Sequence, residues 1–149
     1  VPIMKTENIP ELVNQTTEYL KKRISTKINW SFKNNLNYEY YQNINKNLFE
    51  WVIENLCKNA VDSMVGVGNL HIEISAHPKS MIAIDITDTG KGMSKQIQRK
   101  VFNAGFSTKK RGWGLGLTLA KRIIETYHHG QIYVKESNVG QGTTFRIVI

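Results

Sequence analysis

From about Tyr41 to Met64, apolar side chains return at helical spacing: Ile44, Leu48, Val52, Ile53, Leu56, Ala60 and Met64. Gly66 and Gly68 stop the pattern, and the chain switches at once to period two. Leu70, Ile72, Ile74 and Ala76 alternate with polar neighbours, a His77-Pro78-Lys79 turn intervenes, and Ile82, Ile84 and Ile86 alternate likewise. A long one-sided helix next to one-sided strands must bury both apolar faces together, which restricts the chain to helices layered on a sheet. The remaining segments fit that frame. Pro10 suits the first turn of an earlier helix carrying Leu12, Val13, Thr16, Leu20 and Ile24, and Ile28, Trp30 and Phe32 alternate as a strand. A short helix from Ser94 to Val101 takes Ser94 as its cap. A further helix carries Leu117, Ala120, Ile123, Ile124 and Tyr127 and is closed by Gly130, and two final strands, 131–137 and 143–149, flank a turn. The reading is one α/β domain spanning residues 1–149, a two-layer sandwich with helices on one side of a mixed sheet and the other sheet face more open.

Composition excludes several classes. With 149 residues, 40% hydrophobic and 21% charged, the chain can bury a core and carries no disordered tract. No apolar run is long enough to span a bilayer. Cys57, the single cysteine, excludes an internal disulfide and a multi-cysteine metal site. It falls inside a helical apolar pattern, reads as a buried inert thiol, and points to an intracellular location. His71, His77, His128 and His129 match no zinc spacing. The net charge of +8 is unevenly spread: Lys91, Lys95, Arg99, Lys100, Lys109, Lys110 and Arg111 fall between residues 89 and 111 without an acid. Such a field attracts a phosphate-bearing ligand or a nucleic acid, and charge alone does not separate them.

Three stretches carry chemistry. In Glu54-Asn55-Leu56-Cys57-Lys58-Asn59-Ala60-Val61-Asp62, the residues Asn55, Asn59 and Asp62 lie within about 60° on one helix face. This is either a polar outer face or a pair of amide oxygens aimed at Mg²⁺, which takes few protein oxygens plus waters and phosphates. Asp88-Thr89-Gly90-Lys91-Gly92-Met93 follows a strand directly. It is either a plain turn or a carboxylate at a cleft mouth, able to accept from an exocyclic amino group while the glycines let the backbone approach a flat ring. In Phe102-Asn103-Ala104-Gly105-Phe106-Ser107-Thr108-Lys109-Lys110-Arg111-Gly112-Trp113-Gly114-Leu115-Gly116-Leu117, alternating glycines precede a helix. Their N–H groups and the helix dipole suit phosphate, although the spacing matches neither a Rossmann fingerprint nor a P-loop. Phe102 and Phe106 are either anchors of a flap or core residues.

In this order and spacing the chain resembles the GHKL ATPase superfamily, in its histidine-kinase branch. Asn55 to Asn59 resembles the N box, Asp88 to Gly92 the G1 box, Phe102 to Phe106 the F box, Gly112 to Gly116 the G2 box, and Gly142-Thr143 the G3 position, over about residues 44–149. The resemblance implies the Bergerat fold, a mixed, largely antiparallel sheet with about three helices on one face and ATP held under a lid. It implies Asn59 as the principal Mg²⁺ ligand, with Asn55 assisting at the metal or phosphates. Asp88 would bind adenine N6, with Thr143 close by. Gly90, Gly92 and Met93 would line the base pocket, Gly112, Gly114, Leu115 and Gly116 would contact phosphates, and Ser107, Thr108 and Lys109 would form the lid.

Two positions refine the resemblance. Gyrase-like, mismatch-repair and chaperone ATPases, and serine-kinase anti-sigma factors, carry a glutamate general base four residues before the main asparagine; here that residue is Asn55. The nucleophile must then come from elsewhere, and a histidine on another domain serves without such a base. Many histidine kinases carry a lysine three residues after the main asparagine; this chain has Asp62. Either Lys58 or Lys109 takes over a phosphate contact, or Asp62 holds a basic residue of the lid. No histidine sits in the helical His-Glu context of a phosphoacceptor, so the dimerisation domain is expected upstream of Val1. The implied partners are ATP, that domain and a response regulator, in the cytoplasm, without direct nucleic-acid or membrane contact. Two other readings predict different behaviour: a free-standing GHKL ATPase or serine kinase would turn over steadily, and a basic binding module would bind DNA with steep salt dependence regardless of ATP.

Overall fold

Pro10 stands in the first turn of helix α1 (Ile9–Arg23), where its missing N–H removes no intrahelical bond. Asn8 caps the helix, its side chain accepting from Glu11 N at 3.2 Å. The buried face carries Ile9, Leu12, Val13 and Leu20. Thr16 and Thr17 are buried with them because each hydroxyl donates to a carbonyl one turn back, Leu12 O and Val13 O, at 2.8 Å. The structure, a computed structural model, describes residues 2–24, 27–106 and 116–149.

The segment Tyr41–Ile44 corrects the sequence reading. It is a strand, β3, rather than the start of the long helix, and it pairs antiparallel with β1 (Lys5–Asn8) in a small two-stranded sheet that periodicity did not anticipate. The helix, α2, runs Lys46–Met64 and begins where Asn45 caps it by accepting from Leu48 N at 3.0 Å. Its buried stripe is Phe49, Val52, Ile53, Leu56, Cys57, Ala60 and Met64. Cys57 is fully buried, and burial pushes its thiol up to about 12, so it packs as an inert apolar group.

The main sheet comprises β2 (Ile28–Asn34), β4 (Gly68–His77), β5 (Met81–Asp88), β6 (Gln131–Asn138) and β7 (Gly142–Val148), in the order β2-β4-β5-β7-β6. β2 runs parallel to β4, and every other pairing is antiparallel, which is the mixed, largely antiparallel sheet expected. One face packs Leu70, Ile72, Ile74, Ile82, Ile84, Ile86, Ile132 and Ile147 against α1, α2 and the helix α4 (Gly116–Arg122), which continues into a π-helical turn, Ile123–Tyr127. The other face is polar. There Arg146 grips Asp85 with two nitrogens at 2.7 and 2.8 Å, and His71 joins Ser31 at 2.6 Å to Glu73 at 2.9 Å. The hydrogen bond from His71, and then that from Asn35, holds the Glu73 carboxyl below its ordinary range. The short helix after Ser94, α3, is confined to Lys95–Gln98, with Ser94 Oγ accepting from Ile97 N at 3.2 Å.

Two helix ends use the left-handed region without glycine. The α2 C-cap is Val65 at φ 55°, almost fully exposed, and His129 adopts φ 55° before Gly130. Gly130, read from the sequence as the stop, is the residue after the left-handed one; its N–H bonds Ile124 O at 2.9 Å. A β-branched residue is the worst choice at such a site. Val65→Asn should therefore stabilise the domain by about 0.5–1 kcal/mol, raising the melting midpoint by about 1–4 °C. A lower midpoint in thermal unfolding would contradict this account of the cap.

Candidate functional site

β5 ends on Asp88, and the turn that follows folds back onto the last turns of α2. Lys91 N bonds Ser63 O at 3.1 Å, and Gly140 N bonds Lys91 O at 2.7 Å. Helix end, loop and the β6–β7 turn are thus laced through backbone groups. The glycines are obligatory at two points. A Cβ at Gly90 would stand 2.0 Å from Ser63 Oγ, and one at Gly92, which sits at φ 68°, would stand 2.0 Å from Asn138 O.

Asp88 is 5% exposed, and among the described residues its hydrogen bonds all run to one oxygen. Oδ1 accepts from Gly90 N at 2.8 Å, from Ser63 Oγ at 3.3 Å and from Thr143 N at 3.3 Å. Oδ2 keeps its acceptor capacity for a donor entering beside it. Burial holds the Asp88 carboxyl above its ordinary value, against the three hydrogen bonds that pull it down. Beside it, Thr143 Oγ1 and Ser137 Oγ are 2.7 Å apart, and Ser137 Oγ accepts from Met93 N at 2.8 Å. Gln98 Nε2 donates to Met93 O at 2.9 Å and to Ser137 O at 3.2 Å. Gly90 and Thr143 thus bond Asp88 directly, while Gly92 packs on Asn138 and Met93 bonds Ser137 in the adjoining β6–β7 turn.

The second half of the site lies farther back along α2. A Cβ at Gly116 would stand 2.8 Å from Asn55 Oδ1, so the start of α4 lies against the Asn55 amide. Asn55 Nδ2 is buried with no hydrogen-bond partner among the described residues, a donor that an entering anion would satisfy. Asn59 is half-buried one turn on, and Asp62 is exposed. Lys58 rides Glu54 at 2.7 Å, which ties up the carboxylate next to Asn55. Asn55 and Ser63 are eight residues apart, about 12 Å along the helix, so one helix face reaches both the Asp88 pocket and the start of α4. Among the described residues, no three of His, Cys, Asp and Glu gather as a metal site, and a cation between Asn59 and a phosphate would rely on amide oxygens and waters.

Ser107, Thr108, Lys109, Gly112, Gly114 and Leu115 lie outside the described residues. Before them, Phe102 meets Phe145 edge-on at 6.0 Å and its carbonyl accepts from Thr118 Oγ1 at 2.9 Å, so both Phe102 and the half-buried Phe106 pack on the core. Lys95, Arg99 and Lys100 are solvent-exposed. Sequence reasoning missed Ser63, Ser137 and Gln98. Ser63 continues the Asn55, Asn59 spacing by one more turn, and that periodicity was the available signal; the other two are local to a turn and gave none.

Comparison with known proteins agrees with this geometry. Residues 45–149 match the model of the histidine kinase-, DNA gyrase B-, and HSP90-like ATPase family. The chain belongs to that family. Sporulation kinase E of Bacillus subtilis (strain 168) is 38% identical over 95 residues, which are 64% of this chain and 13% of that relative. The chain thus spans a small part of the relative it matches. The catalytic domain of histidine kinase ThkA superposes with a TM-score of 0.85 at 24% identity, covering 98% of this chain and 94% of that one. ThkA in complex with response regulator protein TrrA gives 0.81 at 20% identity, over 98% of this chain and 41% of that one. Full-length ShkA in complex with AMPPNP gives 0.86 at 22% identity, over 99% of this chain and 31% of that one. These likenesses establish the fold as that of histidine kinase catalytic domains. No described helix is long and apolar enough to cross a membrane.

The raised Asp88 carboxyl makes a signed prediction. A folded-state value above the unfolded one means that ionisation costs stability; on its account stability is greatest below the unfolded value and is lost as pH rises through the folded one. Asp88→Asn keeps an oxygen for the three donors and removes the charge. It should melt higher than the unsubstituted chain at pH 7, with the gap closing on acidification below pH 4, while losing nucleotide binding. A variant that melts lower at pH 7, or still binds nucleotide, would contradict this role.

Proposed function

We propose that this chain is the catalytic, ATP-binding domain of a two-component sensor histidine kinase, which binds Mg²⁺-ATP and passes the γ-phosphoryl group to a histidine on a separate dimerisation domain. The observation that carries the proposal is the Asn55 amide, buried against Gly116 with an unsatisfied donor where other family branches hold a glutamate base. Adenine would enter beside Asp88, its N6 donating to Oδ2. The phosphates would reach the start of α4, where Asn55 Nδ2 donates to an oxygen and the helix N-terminus favours the charge. Asn59 would hold Mg²⁺ through its amide oxygen, and the ion would neutralise charge on the β- and γ-phosphates.

Glu54, the carboxylate beside Asn55 in sequence, pairs with Lys58 rather than standing ready to activate water or a serine hydroxyl. An imidazole nucleophile removes that need: its nitrogen forms the bond to Pγ, the bond to the β-phosphate oxygen breaks, and ADP leaves. The phosphoacceptor histidine belongs to a domain outside this chain, and the ThkA–TrrA complex supports a response regulator as the onward acceptor. A cytoplasmic setting follows from the need for ATP. The exposed cations after Gly92 serve to steer the polyphosphate, with neither nucleic acid nor membrane as a partner.

Calorimetric titration with AMPPNP, with and without Mg²⁺, tests the reading. Micromolar-range binding that strengthens with Mg²⁺ is expected, and Asn59→Ala should remove the Mg²⁺-dependent gain, about tenfold or more, while leaving Mg²⁺-free affinity within about threefold. No binding by the folded chain would overturn the proposal.

A further inference from the structure

His128 is a buried histidine far from the nucleotide pocket, 8% exposed, and both ring nitrogens are committed to backbone groups. Nδ1 lies 2.8 Å from Ile123 O, and Nε2 lies 3.0 Å from Asn45 N. A carbonyl only accepts and an amide N–H only donates, so the ring carries its proton on Nδ1 and accepts at Nε2. Its face tilts against Phe49, centroids 6.1 Å apart. Asn45 is the N-cap of α2, and Ile123 opens the π-helical turn that ends α4. One imidazole therefore clamps the first turn of α2 to the far end of the helix whose start, at Gly116, lies against Asn55.

α4 with its π-helical turn thus meets α2 at both of its own ends: Gly116 lies against Asn55 at mid-α2, and His128 bonds Asn45 at the α2 N-cap. α2 is one continuous helix from Lys46 to Met64, so a tilt at its first turn displaces the amides of Asn55 and Asn59 relative to the start of α4. Asp88 is anchored mostly from outside α2, by the backbone N–H groups of Gly90 and Thr143, with Ser63 Oγ its one donor from that helix. We propose that His128 is a positioning residue for the phosphate and Mg²⁺ half of the nucleotide site, acting through the α2 N-cap, and that it affects the adenine half far less, because two of the three donors to Asp88 lie outside α2. The inference rests on the nucleotide reading of this site.

The two hydrogen bonds can be tested separately. His128→Gln offers a carbonyl oxygen near the Nε2 position and can keep the Asn45 bond; His128→Asn offers a donor near Nδ1 and can keep only the Ile123 bond; His128→Ala keeps neither. Each variant of this chain is titrated with AMPPNP with and without Mg²⁺, and with adenosine alone, and its melting is followed. The expected result is that His128→Asn and His128→Ala lose the Mg²⁺-dependent gain in AMPPNP affinity by about tenfold, His128→Gln retains it, and adenosine affinity stays within about twofold throughout. A purely structural role would lower melting and weaken all ligands in parallel, or leave all ratios unchanged, and either result overturns the proposal. If His128→Ala does not fold, the Gln and Asn pair decides it. Failure of the unsubstituted chain to bind AMPPNP would defeat the functional reading itself, and this inference with it; a normal Mg²⁺ gain in all three variants would defeat the inference alone.

Discussion

A single carboxylate oxygen joins three distant parts of this chain. Asp88 Oδ1 collects a side-chain donor from α2 and backbone donors from its own loop and from the start of β7. Burial makes a lone carboxylate costly, and the three donors offset that cost only while helix, loop and strand hold their places. The glycines follow from the same demand: Gly90, Gly92 and Gly142 are the points where backbones approach too closely for a Cβ. The carboxylate is thereby fixed through one oxygen, and the cost of burying it is concentrated at the meeting point of helix, loop and strand.

α2 divides its circumference between two tasks. Phe49, Val52, Ile53, Leu56, Cys57 and Ala60 are buried in the core, while Asn55, Asn59 and Ser63 form an adjoining polar row one turn apart. The packed stripe fixes the rotation of the helix, and the rotation fixes the row. The distance from the Asp88 pocket to the start of α4 is then a property of helical rise rather than of loop conformation. Core packing does not call for the asparagines, and the proposed function gives them a role in ligand chemistry.

Much of this was legible in the sequence, for physical reasons that differ by element. Strands β4 and β5 alternate because one face is buried, and α2 shows its stripe because it lies flat on that face. Asp88, Gly90, Gly92 and Asn55 were legible because few other residue types satisfy those positions. β3 was not. Tyr41–Ile44 pairs with a polar strand, Lys5–Asn8, mostly exposed, so no alternation marks it, and its Ile44 coincides with the helical period that follows. The cap at Asn45 was the boundary signal, and it was overridden by that coincidence. The contacts of Ser63 and His128 were invisible for another reason: they are hydrogen bonds to residues 25 and 83 positions away in sequence, and no local pattern encodes them. Val65 and His129 run against the expectation of glycine at left-handed positions, and nothing in their packing explains the choice.

The central claim is that an asparagine at position 55 commits the domain to an external histidine rather than to water. It is tested most directly by incubating this chain with Mg²⁺-ATP labelled at the γ-phosphate, alone and with the dimerisation domain of the same protein. The account predicts negligible phosphate release by the chain alone, and label on the dimerisation domain in an acid-labile, alkali-stable linkage, as a phosphorus–nitrogen bond requires. Steady phosphate release by the isolated chain, or label appearing as acid-stable phosphoserine, would contradict it.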